Sequence, residues 1–323
     1  MKKGFIIAGV VLVSVGLLVF LGALFASGFD LSNLSSAKYE TNTHPVNGDF
    51  ETIDVTTFEA NIEIITSGVT EPRVECVEHE KVKHEVKLEN GVLKITAVDN
   101  RTWIDHLNFF SFKPQSVKIY LPKKQYRILK ASSGTGDILV PESVMFIGTN
   151  ITSGTGKVTF NPSDTGEVRI TTSTGDISVS RVHAHEIRLS TSTGKIELLD
   201  VSTDGPLFAK VSTGRIKLTN VKCKTFESEG STGDLFMKNT VAADFFDIRR
   251  NTGDVEFDDC DAGTITVKTS FGNVTGTLRS NKVFIAKSST GKIEVPTSVT
   301  GGKCDITTST GDIKISFVTK LPS

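Results

Sequence analysis

Over the last two thirds of this 323-residue chain, apolar and polar positions alternate in a pattern that resets every 19 or 20 residues. Each unit is centred on a glycine: Gly136, Gly156, Gly175, Gly194, Gly214, Gly233, Gly253, Gly272, Gly291 and Gly311. Two residues after it stands an aliphatic side chain in all ten units, from Ile138 to Ile313. Four after it the residue is apolar in nine, Gly276 being the exception. Seven and five residues before it, apolar side chains recur in nine of ten units, as in Val168 and Ile170 or Ile265 and Val267. Period-two alternation with β-branched residues on the apolar side is the pattern of a half-buried strand. Each unit therefore predicts two short strands with four inward side chains. A third inward position recurs more weakly near Val182, Val201, Val221 and Cys260.

A fixed period of this size predicts stacked coils, each burying its apolar face against its neighbours. The expected fold class is all-β: a parallel β-solenoid of about ten coils, roughly 48 Å long at about 4.8 Å per coil. The glycine supplies the sharp corner between strands. The residue after it is Asp137, Lys157, Asp176, Lys195, Arg215, Asp234, Asp254, Asn273, Lys292 or Asp312. Stacked in chain order, five of the nine neighbouring pairs are opposite in sign and two alike, which reads as a solvated charge ladder rather than a row of catalytic acids. Thr precedes the glycine in nine units, Phe271 being the exception, and Ser or Thr stands three before it in seven. Both positions share the parity of the inward residues. Both are therefore expected inside the corner as hydroxyl ladders, not on an exposed ice-binding face. Ser133-Gly134-Thr135-Gly136 has the composition of a phosphate loop, but its equivalents recur at every corner.

The pattern changes at the ends. Gly4 to Ala26 is a 23-residue run without a charge, preceded by Lys2 and Lys3. As a helix it would extend ~34 Å, enough to cross a ~30 Å hydrocarbon core, with the lysines holding the N-terminus in the cytoplasm. A cleaved signal peptide ending at Ala26-Ser27-Gly28 competes with a retained anchor, but its apolar region would normally be shorter. The expected organisation is a stub and signal anchor (1–28), a tether (29–45), a β-rich cap (46–125), the solenoid (126–318) and a tail (319–323). Within the cap, Glu89-Asn90-Gly91-Val92 predicts a hairpin. Trp103, Phe109, Phe110 and Phe112 cluster in one stretch. They are either cap packing or a partner-binding aromatic loop, and they are the candidate binding residues.

Charge and candidate chemistry then narrow the function. The 36 basic and 37 acidic residues fall without long runs, so the basic stripe of a nucleic-acid binder is missing. Cys76, Cys223, Cys260 and Cys304 occupy different phases of the repeat, which predicts buried free thiols rather than disulfides. His183 and His185, and separately His79 and His84, lack the companion spacing of a zinc site. Asp258, Asp259 and Asp261 surround a turn and read as a solvated acidic turn before a Ca²⁺ site. No Ser-His-Asp or nucleotide-binding grouping stands out. No metal, cofactor or catalytic residue is expected.

The chain resembles a bacterial family of membrane-tethered β-strand repeat proteins known as putative adhesins, a domain of unknown function. The resemblance rests on Ser173-Thr174-Gly175-Asp176-Ile177 and its recurrences, on Val117-Lys118-Ile119-Tyr120-Leu121-Pro122, and on the N-terminal anchor. It implies a surface or envelope location, with some members linked to envelope-stress gene clusters, and carries no catalytic residues. The expectation is a non-enzymatic, single-pass membrane protein with the bulk of the chain outside the cytoplasm. Its expected partners are the membrane and a cell-wall polymer or envelope protein. The alternatives are a scaffold or sensor in envelope-stress signalling and, less favoured because the loops are short, a polysaccharide-cleaving β-helix enzyme.

Overall fold

A computed structural model describes residues 2–26, 38–102 and 114–318. The alternating aliphatics become columns that run the length of one parallel stack. Ile177, Ile196, Ile216, Leu235, Val255 and Val274 follow one another across successive parallel pairings, and none is more than 1% exposed. The weaker third position is also inward, with Val182, Val201, Val221 and Cys260 all buried. The result is the expected parallel β-solenoid, with one continuous apolar core along its axis.

Two kinds of corner bend each coil. At the first, the repeat glycines stack directly: a Cβ on Gly214 (φ +137°) would lie 1.8 Å from the Gly194 carbonyl oxygen. Only glycine allows that approach and that φ together. The acidic or amide residue after the glycine does more than balance charge. Its side-chain oxygen accepts the backbone N–H at the same position one coil on, as in Asp176 to Lys195 (2.8 Å), Asp234 to Asp254 (3.0 Å) and Asp254 to Asn273 (2.7 Å). The second corner is built from left-handed residues other than glycine: Arg181, Asp200, Asn220, Asn239 and Asp259, with φ between 48° and 57°. Asn and Asp tolerate this region best. Their side chains bond along the stack, Asn220 donating to Asp200 and Asn239 donating to Asn220, each at 2.7 Å.

The expectation for the corner threonines holds at one position and fails at the other. Three before the glycine the side chains point in, as with Thr172, Thr191 and Thr308. Immediately before it, Thr174, Thr193, Thr213, Thr232 and Thr252 are exposed, as is Phe271. The chain is already turning there, so strand alternation no longer sets the direction.

The N-terminal part begins with α1 (Lys2–Ala26) and continues through β1 (Tyr39–Pro45), β2 (Thr52–Thr57), β3 (Asn61–Ile65), β4 (Arg73–His79), β5 (Val82–Glu89), β6 (Val92–Asp99), β7 (Ser116–Tyr120), β8 (Gln125–Ser133) and β9 (Ile138–Val140). β2 and β3 pair in parallel with β8 and β9, so the solenoid starts at Thr52 and includes part of the expected cap. Beyond them lie β6 and β7, also parallel. The antiparallel pairs β5–β6, β4–β7 and β1–β4 then close that end. The hairpin at Asn90-Gly91 is present, with φ 51° and 73°.

The C-terminal end departs from chain order. Strand Val255–Phe271 pairs with Gly302–Thr310, and that strand pairs on its other side with Lys282–Thr290. Val274–Leu278, Ile313–Phe317 and Ile293–Glu294 follow the same sequence. The last two coils are thus exchanged, and the charge column ends Asn273, Asp312, Lys292. Cys304, Ile306, Ile313 and Ile315 are at most 4% exposed in the inner coil, whereas Ile293 in the outer coil is 44% exposed. The inner coil is covered on both sides, the outer on one.

α1 is uncharged from Gly4, and its described side chains Val11, Leu12, Val13, Leu17, Leu18 and Val19 are all exposed. Among the described residues no helix is long and apolar enough to cross a membrane. The structure carries a helix at the expected place, Lys2–Ala26.

Candidate functional site

The inward hydroxyls three residues before each glycine cap backbone carbonyls at the corner. Ser153 donates to Gly136 O (3.4 Å), Thr191 to Gly175 O (3.1 Å), Thr308 to Gly272 O (3.1 Å) and Ser288 to Gly311 O (2.9 Å). This column breaks in three successive coils, where Val211, Gly230 and Arg250 stand instead. The three exceptions were visible in the sequence as the units that lack Ser or Thr at this position. Nothing in the sequence indicated that they adjoin one another on the surface of a groove.

Arg250 is only 4% exposed. One terminal nitrogen donates to Ser228 Oγ at 2.8 Å, while Nε has no hydrogen-bond partner. Among the described residues no carboxylate pairs with it. Burial pulls the guanidinium down from its usual value to about 10, opposed by the field of Asp234. It remains charged at neutral pH. The local sequence is matched to this side chain. A Cβ on Gly230 would lie 1.7 Å from Arg250 Nη1. Ser228, the one polar residue in its inward column, supplies the acceptor. On the other side Thr269 is 6% exposed, and its Oγ1 has no partner either.

A groove of about 380 Å³ lies over these residues. Its walls add Lys210, Glu229, Arg249 and Lys268. Lys210 pairs with Glu229 at 2.8 Å and Arg249 with Asp247 at 2.7 Å. The lining therefore sets four cations against one carboxylate, and that carboxylate is held by Lys210. The arrangement can hold an anion. It offers no uncommitted general base among its lining residues.

The sequence-predicted site residues lie elsewhere. Trp103, Phe109, Phe110 and Phe112 fall outside the described residues. The acidic turn is ion-paired: Asp258 to Lys238 (2.7 Å), Asp259 to Arg279 (2.8 Å) and Asp261 to Lys282 (2.6 Å). The Arg279 hydrogen bond holds the Asp259 carboxyl below its usual range. His183 and His185 are exposed, and His183 sits 3.0 Å from Ser202 Oγ. The structure does gather Cys76, Glu78 and His84, all buried, with their donor atoms within 4.8 Å of one another. Protein donors already occupy that carboxylate. Oε1 accepts from Asn42 (2.7 Å), and Oε2 lies 2.7 Å from the His84 backbone N–H and 2.9 Å from its Nδ1. Burial, then Glu78 and Glu75, push the Cys76 thiol up to about 12. The cluster is a satisfied polar network between the cap strands. All four cysteines are free and buried, as expected.

The sequence matches the Toastrack DUF4097 family over residues 50–208 and 206–323. Among solved structures, the fold is similar to a putative lipid binding protein from Parabacteroides distasonis, 16% identical, covering 87% of this chain and 98% of that one with a TM-score of 0.51. A putative adhesin from the same organism is 16% identical over 87% and 98%, with a TM-score of 0.43. A putative adhesin from Bacteroides fragilis is 14% identical over 86% and 97%, with a TM-score of 0.38. No curated protein matches the chain.

Proposed function

The chain belongs to the Toastrack DUF4097 family, and from that premise we propose that it is a non-enzymatic, membrane-anchored protein displaying its solenoid outside the cytoplasm as an adhesin-like binding rod. The observation that carries this reading is the basic groove at the break in the corner hydroxyls, a binding surface set into an otherwise regular stack. The groove runs across coils and lies open on the flank, which suits an extended polymer of the cell envelope better than a small enclosed substrate. Anchoring rests on the uncharged run Gly4–Ala26 and the exposed apolar residues of α1. A helix hydrophobic on every side is suited to lipid. The preceding lysines orient it with the N-terminus inside.

Two measurements test the proposal. Carbonate-washed membranes should retain the full chain, and external protease should remove the solenoid from intact cells stripped of their wall. Release by carbonate would sink the anchor. The protein should also co-sediment saturably with purified cell envelope without liberating soluble sugar. Sugar release would replace the binding reading with a catalytic one.

A further inference from the structure

We infer that the groove over Arg250 is a receptor for a phosphoryl group carried by a polyanionic chain. The inference rests on the adhesin-like reading for its biological setting, but its chemistry stands on the groove alone. Seven of the ten coils obey one corner rule, and where a repeat abandons its own rule with several matched substitutions, the departure has a use. Here the departure is coordinated. Gly230 makes room for Arg250, Ser228 holds one of its nitrogens, and Val211 drops the hydroxyl of the preceding coil.

What these changes create is a buried cation without an ion-pair partner among the described residues, beside a buried hydroxyl without a partner. Arg250 Nε and Thr269 Oγ1 are both unpaired, and both residues line the groove. Leaving such groups unsatisfied is costly in a folded protein. An oxyanion seated there would accept from the guanidinium fork, which matches phosphate and carboxylate oxygens bidentately. The tetrahedral group is favoured over a carboxylate by the number of donors. Arg250, Thr269 Oγ1 and Lys268, which has no ion pair among the described residues, offer more donors than two oxygens can take up. With Lys210 paired to Glu229 and Arg249 to Asp247, Arg250 and Lys268 leave an excess of two positive charges, which favours a doubly charged group as well.

The charge pattern further along favours a polymer. Lys210, Glu229, Arg249 and Lys268 occupy one outward column in four successive coils. Cations therefore recur along the axis at intervals of about 5 and 10 Å. An anionic chain lying parallel to the solenoid would meet several of them at once.

The test is calorimetric titration of the full chain in detergent micelles with inorganic phosphate, acetate and polyphosphate. Phosphate should bind at one site, acetate at least tenfold more weakly, and polyphosphate more tightly than either. Arg250→Gln should lower phosphate affinity at least tenfold. The decisive variant is the double substitution Gly230→Ser with Arg250→Thr, which rebuilds the corner hydroxyls. It should abolish phosphate binding and raise the melting temperature, because it removes a buried charge that only a ligand satisfies. Retained binding in that variant, or a lowered melting temperature, would overturn the assignment of Arg250. Equal affinity for acetate would overturn the choice of phosphoryl. If Arg250 variants do not fold, Lys210→Ala with Lys268→Ala on the exposed rim must still weaken polyphosphate severalfold, and unchanged affinity counts against the groove. Phosphate binding that survives while envelope co-sedimentation fails would sink the adhesin-like reading and leave the receptor standing.

Discussion

A methyl group at Gly214 would meet the Gly194 carbonyl oxygen at 1.8 Å with φ at +137°, so the backbone has no way to accommodate it without moving a whole corner. Gly214→Ala is therefore expected to cost at least about 3 kcal/mol, read from urea unfolding. A loss below about 1 kcal/mol would mean that the corner is looser than the geometry shows. The thiols give a second residue-scale expectation. Cys223, Cys260 and Cys304, like Cys76, are pushed up to about 12, in each case chiefly by burial. A folded-state value raised above the ordinary one of about 9 favours the protonated thiol. The stability it contributes is whole below about pH 8.5 and is lost as pH rises toward 12. The native protein should accordingly leave all four thiols unreactive toward a disulfide reagent at pH 8, and react fully in urea. A thiol titrating in the native state would contradict its placement.

Among the elements, strand Gly302–Thr310 is covered on both sides and Lys282–Thr290 on one. Amide exchange should therefore be slower in residues 302–310 than in 282–290, although the former lie nearer the end of the sequence. The reverse order would restore stacking in chain order. In the cap, His84 bonds Glu78 in a site where both side chains are at most 2% exposed. His84→Ala should destabilise by about 3 kcal/mol, because it strips a buried carboxylate of a donor and leaves a hole. Strand period, core columns, glycine corner and hairpin were all legible in the sequence, since each follows from local alternation and turn chemistry. The order of the last two coils was not. Both carry the same motif and an apolar inward set, Phe284–Ala286–Ile293–Val295 in one and Cys304–Ile306–Ile313–Ile315 in the other, so local alternation does not rank them. The second corner was missed although Asp200, Asn220, Asn239 and Asp259 recur at the repeat spacing, because left-handed Asn and Asp give a quieter signal than glycine.

For the molecule as a whole, net charge is −1, so any attraction for an acidic polymer must come from the local excess in the groove. Binding of envelope by the full chain should fall steeply between 50 and 500 mM salt, roughly the range over which screening shortens from above 10 Å to below 5 Å. Salt-independent sedimentation would point instead to an apolar contact. The groove was only half legible in advance. The units lacking a corner hydroxyl could be counted, but their meaning depends on burial and on the side chain that fills the space over Gly230. The exchanged coils have one more consequence, for how such an array changes in length. A further unit added at an end of such an array would stack on the last one. Here Val318, the last described residue, bonds through its N–H to Leu278 O in the layer beneath, and so lies inside the outermost layer. A unit duplicated after that point would start inside the rod with its stacking place already taken. A coil added to the regular interior would instead lengthen the rod without disturbing either end.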